Sequence, residues 1–341
     1  MPAPLWESLS QLDLAVEAVA TETLAVDVGA FLRKTTVVRL RGGGVEGVGE
    51  DVTYDAAEHD RFPVPRLEGA WTLASLSARL DEVALFASPP SQPAYLDYRR
   101  WAYESAALDL ALRQAGTTLA EQVGWAPRPL TFVVSTRAAT LADWVALYPG
   151  IRFKLDPTRD WTDERWRELA GWDNVDVLDL KGAYRGTSVD NPADPELYER
   201  TATAIPGAWI EDPALTPETD EVLEPYRDRI TWDAPIHSWA DVERLPFEPR
   251  ALNCKPSRFG TLERLLEFYA RCEERGILLY GGGQFELGPG RGQIQLLASL
   301  FHPDAPNDVA PSVYNADGPR PGLPTSPLAL EPGPGFRYDA A

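Results

Sequence analysis

The sequence is poor in the side chains that form disulfides and most transition-metal sites. Only two cysteines, Cys254 and Cys272, and three histidines occur among 341 residues. No Cys-x-x-Cys pair and no Cys/His spacing of the zinc-binding type is present, which argues against a structural metal of that class. Cysteines this scarce fit a reducing compartment best, so we predict a cytoplasmic protein.

Long apolar runs are also missing. No stretch of 18 apolar residues occurs, and the N-terminus has no basic segment followed by an apolar one. We therefore expect neither a membrane-spanning helix nor a secretory signal.

Positive charge is scarce as well, with 32 Lys and Arg against 52 Asp and Glu and a net charge of −20. Such a chain repels nucleic acid and anionic membranes, so both are excluded as main partners. A small anionic substrate would need a local cation or a metal to hold it. The hydrophobic content of 44% is ordinary for a globular protein, and a homo-oligomer is compatible with the sequence.

The length suits a large α/β domain with a smaller one beside it. We predict a smaller α+β domain over residues 1–128. Within it, residues 35–51 alternate apolar and polar side chains around a glycine turn, which predicts a β-hairpin. Residues 99–116 carry apolar side chains at helical spacing and end in Gly116, which predicts a helix.

From residue 129 to residue 317, short β-rich runs alternate with helical runs. This alternation predicts either a (β/α)8-type barrel or a doubly wound sheet. The remaining residues, 318–341, are rich in Pro and Gly and are expected to run as an extended strap over the surface. The predicted strands are 130–135, 151–155, 175–180, 208–211, 229–233, 251–255, 277–281 and 308–314.

Charged residues stand at or just beyond the C-terminal ends of these strands, where the strands of a barrel open onto one pocket. They are Lys154, Asp156, Asp179, Lys181, Glu211, Asp233, Lys255 and Glu286. Asp179, Glu211 and Asp233 follow three successive strands, and neighbouring strands lie roughly 4.8 Å apart. Carboxylates so close would repel one another without a cation between them. Because Mg²⁺ prefers oxygen ligands, we interpret these three residues as a magnesium site.

Four motifs resemble the enolase superfamily, in the branch of muconate lactonizing enzymes and o-succinylbenzoate synthases within the mandelate racemase/muconate lactonizing enzyme family. They are GGGVEGVGED (42–51), YESAALDLALRQAGTTLAEQVG (103–124), WIEDP (209–213) and NCKPSRFGTLERLLEFYARCEERGI (253–277). The resemblance covers nearly the whole chain. It implies an α/β fold, a (β/α)7β TIM-type barrel closed by an α+β cap that is built from the N-terminal region and the C-terminal tail.

The resemblance also implies an activity. Members of this type are Mg²⁺-dependent isomerases or lyases that remove a proton α to a substrate carboxylate and form an enediolate, whose charge the metal spreads. Cycloisomerisation, isomerisation and dehydration of a small-molecule carboxylate are all compatible. The resemblance assigns the metal to Asp179, Glu211 and Asp233, and proton transfer to Lys255 together with Lys154.

Further residues are assigned by position in the same way. Glu286 resembles the acidic group beyond the seventh strand and is expected to orient Lys255 or the substrate. Specificity would come from two cap loops, roughly 20–35 and 50–62, through Phe31, Thr53 and Tyr54.

Two positions depart from the family pattern. The second strand usually carries Lys-x-Lys, but Asp156 stands in the second position; the third strand usually carries Asp-x-Asn, but Lys181 replaces the asparagine. Asp156 shares a strand face with Lys154 and is assigned to substrate binding. Lys181 either partly replaces the missing lysine, paired with Asp156, or forms a salt bridge with Asp156 that has no catalytic role. Either way, a one-base reaction is favoured over two-base racemisation.

Two other functions remain open. A class I aldolase would use Lys255 to form a Schiff base and the YGGGQ stretch (280–284) to hold a phosphate. A catalytically silent barrel would bind a metal or ligand only, and the missing second-strand lysine favours it.

Overall fold

A computed structural model of the protein describes residues 5–29, 31–136, 141–184, 189–315, 318–331 and 333–338. In the N-terminal region, residues 18–27, 32–42 and 45–51 form a three-stranded antiparallel sheet, and residues 13–16 pair with residues 69–72. The elements are α1 (Leu5–Ser10), β1 (Asp13–Val16), β2 (Ala18–Asp27), β3 (Leu32–Gly42), β4 (Val45–Asp51), α2 (Ala56–Asp60), β5 (Gly69–Thr72), α3 (Leu73–Asp81), α4 (Ala94–Ala115) and α5 (Leu119–Val123).

The predicted hairpin and the predicted helix are confirmed, and glycines explain how they pack. β3 and β4 pair from Thr36–Asp51 to Gly42–Val45. A Cβ atom on Gly47 would lie 2.3 Å from the Leu110 backbone nitrogen in α4, and one on Gly49 would lie 2.1 Å from the Ala102 carbonyl oxygen. Only glycine therefore allows α4 to lie this close to the sheet.

The second region is a curled parallel sheet with helices between the strands. Among the described residues, the sheet has seven strands in sequential order. Its elements are β6 (Val134–Thr136), α6 (Leu141–Leu147), β7 (Phe153–Leu155), α7 (Asp163–Ala170), β8 (Val175–Asp179), α8 (Pro195–Ala204), β9 (Trp209–Glu211), α9 (Pro217–Leu223), β10 (Ile230–Trp232), α10 (Trp239–Glu243), β11 (Ala251–Cys254), α11 (Leu262–Arg275), β12 (Leu278–Gly281) and α12 (Gly290–Phe301), with 3-10 turns at Glu224–Arg229, Pro256–Phe259 and Ser312–Asn315.

The strand predicted over residues 308–314 is wrong. Only isolated bridges form there: Asp308 pairs with Gly282 beyond β12, and the adjacent Asn307 pairs with Phe132 ahead of β6. Pro311 then interrupts any ladder because it has no backbone N–H, and a 3-10 turn follows. These two bridges link the two ends of the curled sheet and so complete the barrel of the expected fold.

The C-terminal tail returns to the cap. The backbone nitrogen of Phe336 donates to Asp109 Oδ1 in α4 at 2.8 Å, and the Phe336 side chain is fully buried. Gly335 donates to the Thr117 carbonyl at 3.0 Å. The predicted strap therefore contacts α4 and the turn after it; residues 332 and 339–341 of the predicted tail lie outside the described residues.

A buried arginine joins the cap to the barrel. The Arg33 guanidinium donates to the backbone carbonyls of Val52 and Thr53 in the cap, at 2.9 and 2.7 Å. It also donates to the carbonyls of Gln284 and Phe285 beyond β12, at 2.8 and 3.2 Å. No helix in the described part of the chain is long and apolar enough to cross a membrane.

Candidate active site

Three carboxylates converge at the C-terminal end of the sheet. β8 and β9 pair in parallel with Asp179 opposite Glu211, which brings their side chains together at the strand ends. Asp212 follows directly. Each of the three offers an oxygen within 4.8 Å of the others, and all three residues are fully buried.

Asp212 joins this cluster because the backbone turns after β9. Its φ is 50°, in the left-handed region, so the alternation of side chains along a strand ends at Glu211. Asp212 Oδ1 accepts from the Asp233 backbone nitrogen at 2.8 Å, and Oδ2 accepts from that of Ala234 at 2.9 Å. Burial, with the nearby Asp233 carboxylate, raises the pKa of Asp212 to about 7.

Lys154, the middle residue of β7, contacts the cluster. Its buried ammonium pairs with Glu211 and lies 3.2 Å from Asp179 Oδ2 and 3.6 Å from Asp308 Oδ2. Burial disfavours the charged amine, but the Glu211 and Asp179 carboxylates outweigh it and raise the pKa of Lys154 well above its ordinary value. Lys154 is therefore a fixed cation in this environment.

Lys181 also contacts the cluster. Its φ of 55° is left-handed, and this conformation turns both its backbone and its side chain back onto Asp179. The backbone nitrogen donates to Asp179 Oδ1 at 3.0 Å, and the ammonium pairs with Asp179 Oδ2. The ammonium lies 3.6 Å from Asp156 Oδ1 and 5.3 Å from the Tyr184 ring.

Asp233, predicted as a third metal ligand, is held by cations in this structure. Lys255 donates to its Oδ2 atom at 2.8 Å and Arg258 donates to Oδ1 at 2.8 Å. The Tyr184 hydroxyl donates to Oδ2 at 2.9 Å. Burial would raise the pKa of Asp233, but Arg258 and Lys255 hold it well below the usual range. Ligation by Asp233 stays a prediction; among the described residues, the third carboxylate grouped with Asp179 and Glu211 by distance is Asp212.

Lys255 sits at the end of β11 in a nearly closed environment, with 8% of the residue exposed. Burial lowers its pKa below the ordinary value; Asp233 opposes this effect, and Arg258 and Lys154 add to it. A lowered pKa increases the fraction of neutral amine, which is the form that accepts a proton.

A cavity of about 600 Å³ opens at this end of the barrel, within the roughly 300–1,000 Å³ typical of small-molecule sites. Phe31 and Tyr54 from the cap and Asp156 from the barrel line it; their contact with a substrate stays a prediction. Trp144, Phe285 and Tyr314 add further aromatic surface, and Arg291 and Asp308 add charge. Thr53 is fully buried instead, and its hydroxyl donates to Asp51 at 2.7 Å.

Glu286 lies in the loop beyond β12. Its Oε1 atom accepts from the Gln284 backbone nitrogen at 2.6 Å, and its Oε2 atom pairs with Arg291 at 3.0 Å. Arg291 lines the cavity, so Glu286 is linked to the substrate space through that guanidinium.

Several polar or charged residues of the site were not identified from the sequence: Asp212, Arg258, Tyr184, Asp308 and Arg291. Asp212 and Arg258 stand inside the motifs quoted above. For Asp212, the alternation of side chains along a strand predicts a position on the face opposite to Glu211, away from the cluster. For Arg258, the Pro-x-Arg spacing after Lys255 was a usable signal, since a 3-10 turn over Pro256–Phe259 brings residue 258 back over the strand end.

The donor chemistry of the cluster fits a hard divalent cation. Mg²⁺ is bound through carboxylate oxygens and keeps other positions for water or substrate. Asp179, Glu211 and Asp212 offer three such oxygens in a buried position. The described residues therefore suit a metal at this point.

Solved structures with this arrangement of barrel and cap belong to the enolase superfamily. Muconate cycloisomerase from Pseudomonas fluorescens is 20% identical, with 96% of each chain covered and a TM-score of 0.68. A dipeptide epimerase from Methylococcus capsulatus, complexed with a Mg ion, is 20% identical over 86% of this chain and 89% of its own, with a TM-score of 0.64. An enolase superfamily member from Enterococcus faecalis V583 is 19% identical over 87% and 86%, with a TM-score of 0.63. The fold class predicted from the sequence is confirmed.

Family models identify the chain more narrowly. The C-terminal domain of the family described as Domain of unknown function (DUF8230) matches residues 126–316, and its N-terminal domain matches residues 7–122. Since the first match alone spans more than half of the 341 residues, the chain belongs to the DUF8230 family. No curated protein matches it.

Proposed function

We propose that this protein is a Mg²⁺-dependent enzyme that removes a proton α to the carboxylate of a small-molecule substrate, as an isomerase, cycloisomerase or dehydratase. The observation that carries the proposal is the pairing of two features at one barrel mouth: a buried lysine of lowered pKa, Lys255, and the carboxylate cluster of Asp179, Glu211 and Asp212.

Proton removal is assigned to Lys255. An α-carbon held above β11 would face its amine, and burial lowers the pKa of Lys255, which increases the share of the neutral amine that accepts a proton. Asp233 and Arg258 orient the Lys255 amine, since Asp233 accepts hydrogen bonds from both Lys255 and Arg258. After proton transfer, the resulting ammonium keeps Asp233 as its counter-ion.

The charge that develops on the substrate carboxylate needs fixed positive charge nearby. Lys154 supplies one such charge, because its carboxylate partners keep it protonated. Mg²⁺ held by Asp179, Glu211 and Asp212 would supply the largest part of this charge stabilisation. Ligation by Asp233 would require Lys255 to leave its Oδ2 atom.

Substrate selection is assigned to the cavity between cap and barrel. Its aromatic lining, which includes Phe31 and Tyr54, favours a carboxylate with an apolar or aromatic portion. Asp156 and Arg291 provide polar contacts at the same wall. A cytoplasmic location and the absence of nucleic-acid and membrane partners remain predictions from the sequence.

Solvent-deuterium exchange tests the proposal directly, because it reports proton removal without knowledge of the product. The full chain is incubated in D₂O with Mg²⁺ and a library of carboxylic acids, and exchange at the α-carbon is followed by NMR or mass spectrometry. We expect exchange for at least one acid, its loss in EDTA, and its loss in Lys255→Met. Absence of exchange across the library would contradict the proposal.

The lowered pKa of Lys255 also favours a Schiff-base aldolase, which makes a second candidate. Borohydride reduction in the presence of carbonyl substrates distinguishes the two. Covalent trapping on Lys255 that persists in EDTA would support the aldolase, whereas trapping is not expected from an enzyme that only transfers protons.

A further inference from the structure

Lys181 contacts Asp179 with both its backbone and its ammonium, so a metal at the cluster would have to compete with Lys181 for Asp179. Asp179 Oδ1 accepts the Lys181 backbone nitrogen at 3.0 Å, and Oδ2 holds the Lys181 ammonium while the Lys154 ammonium lies 3.2 Å away. An oxygen that holds one ammonium and faces a second is a poor ligand for a further cation, because the ammonium groups repel the metal and compete for the same carboxylate.

The backbone of Lys181 is held in a conformation that a lysine rarely adopts. A φ of 55° costs roughly 1–2 kcal/mol for a residue with a Cβ atom. Such a conformation persists only where other contacts stabilise it, and the double contact with Asp179 provides them. In the described ranges, the non-glycine residues with positive φ are Lys181, Asp212 and Phe285, and each lies at the barrel mouth.

A second acceptor for the Lys181 ammonium lies close by. Asp156 Oδ1 is 3.6 Å from it, and the Tyr184 ring centroid is 5.3 Å away. A shift of the ammonium by roughly 1 Å would bring it within hydrogen-bonding distance of Asp156. The ammonium would thus keep a carboxylate partner after it leaves Asp179, and Asp156 lines the cavity assigned to substrate.

The contact network holds more acidic than basic side chains. Among the described residues, six carboxylic side chains contact or adjoin four basic ones, while burial raises the pKa of Asp212 to about 7 and lowers that of Lys255, so the acidic surplus is not a fixed charge. The carboxylates are Asp156, Asp179, Glu211, Asp212, Asp233 and Asp308, and the cations are Lys154, Lys181, Lys255 and Arg258.

We propose that Lys181 is an internal competitor for the metal, and that a divalent cation binds when the Lys181 ammonium moves from Asp179 to Asp156. This inference rests on the proposed magnesium site. The two departures from the family pattern then act together. Without metal, the Lys181 ammonium pairs with Asp179; when metal binds, Asp156 accepts that ammonium. Metal loading then also places a cation at the wall of the substrate cavity.

Calorimetric titration of the full chain with Mn²⁺, without substrate and at fixed pH and ionic strength, tests the competition. Lys181→Met should bind Mn²⁺ at least ~10-fold more tightly than the unsubstituted chain, and Lys181→Asn should show the same direction. Circular dichroism and thermal melting establish that each variant is folded. Lys34→Met is the matched control, since it removes one lysine charge at a cap position paired with Asp60, and it should not alter affinity.

The transfer to Asp156 has its own test. Asp156→Asn should weaken Mn²⁺ binding in the unsubstituted chain, because the displaced ammonium loses its acceptor. In the Lys181→Met background the same substitution should have a clearly smaller effect. An equal effect in both backgrounds would show that Asp156 acts on the ion by charge alone and would overturn the transfer.

The outcomes separate this inference from the proposed function. If both Lys181 variants bind Mn²⁺ no more tightly than the unsubstituted chain or Lys34→Met, the competition is overturned even if α-proton exchange is observed. If they bind more tightly while no carboxylic acid exchanges its α-proton, the competition stands and the proposed enzymatic activity fails.

Discussion

Gly282 and Lys255 lie so close together that a Cβ atom on Gly282 would be 2.8 Å from Lys255 Cε. The same atom would lie 2.4 Å from Asn253 Oδ1, and Asn253 donates to Glu211 Oε2 at 3.2 Å. The glycine at the end of β12 therefore fixes the position of the proposed base and of a residue that holds the carboxylate cluster.

Gly282→Ala should displace Lys255 and reduce α-proton exchange by at least ~10-fold. Crowding of this kind typically destabilises a protein by roughly 1–3 kcal/mol, so the variant should remain folded with a lower melting temperature. Gly150→Ala is the control, because a Cβ atom there would meet nothing within 4 Å. Full exchange activity in Gly282→Ala would show that the position of Lys255 does not matter.

Lys255→Met should reduce exchange by at least roughly 10²-fold, the lower range for loss of a general base. Methionine keeps much of the apolar stem in this buried site but cannot accept a proton. Mn²⁺ binding, measured by calorimetry on the same samples, should survive because Lys255 contacts Asp233 rather than the three clustered carboxylates. Exchange within tenfold of the unsubstituted chain would remove Lys255 from the reaction.

Asp212→Asn and Asp233→Asn distinguish the geometric cluster from the ligand set predicted by sequence. If Asp212 is the third ligand, its substitution should weaken Mn²⁺ binding at least ~10-fold. Asp233→Asn should weaken Mn²⁺ binding less, because the Asp233 oxygens face Lys255 and Arg258. A larger loss in Asp233→Asn than in Asp212→Asn, seen in folded samples, would restore the sequence-based assignment.

His302 lies outside the candidate active site and makes the stability of the fold depend on pH. Its Nδ1 atom donates to Asn307 Oδ1 at 2.6 Å, and its Nε2 atom has no hydrogen-bond partner within the described residues. Burial lowers its pKa from 6.5 to about 4. Because the folded pKa is the lower one, its contribution to stability is complete above pH 6.5 and is lost as the pH falls towards 4.

The difference between 6.5 and about 4 corresponds to roughly 3 kcal/mol. His302→Asn can keep a donor near the Nδ1 position without a titrating ring. Urea unfolding at pH 7.5 and pH 4.5 should show a smaller loss of stability for this variant than for the unsubstituted chain. Equal losses would assign the acid sensitivity to other groups, such as His237, whose pKa is also lowered to about 4.

The sequence predicts helices and strands correctly where local hydrophobic periodicity determines them. The hairpin around Gly43 and the helix before Gly116 are present because alternation and helical spacing coincide with turn and cap glycines. Asp179 and Glu211 were placed at the mouth for the same reason, since they end successive parallel strands. The segment 308–314 looked equally β-rich, but Pro311 and the single bridges at its start decide its conformation.

The remainder of the site depends on backbone turns that no periodicity encodes. Asp212 enters the carboxylate cluster and Lys181 folds back onto Asp179 because each adopts a left-handed φ, which single residues other than glycine seldom do. Contacts formed by distant segments stabilise those conformations. The partner of Arg258 is likewise fixed by how β10 and β11 lie together, so the Pro-x-Arg spacing indicates a turn over the strand end but does not identify Asp233 as the partner.

The guanidinium of Arg33 links two loops that are far apart in the sequence. A change in one loop that moves its carbonyls alters the geometry of the other. Because all four acceptors are backbone carbonyls, this link depends on the backbone paths of the two loops and not on the side chains that they carry.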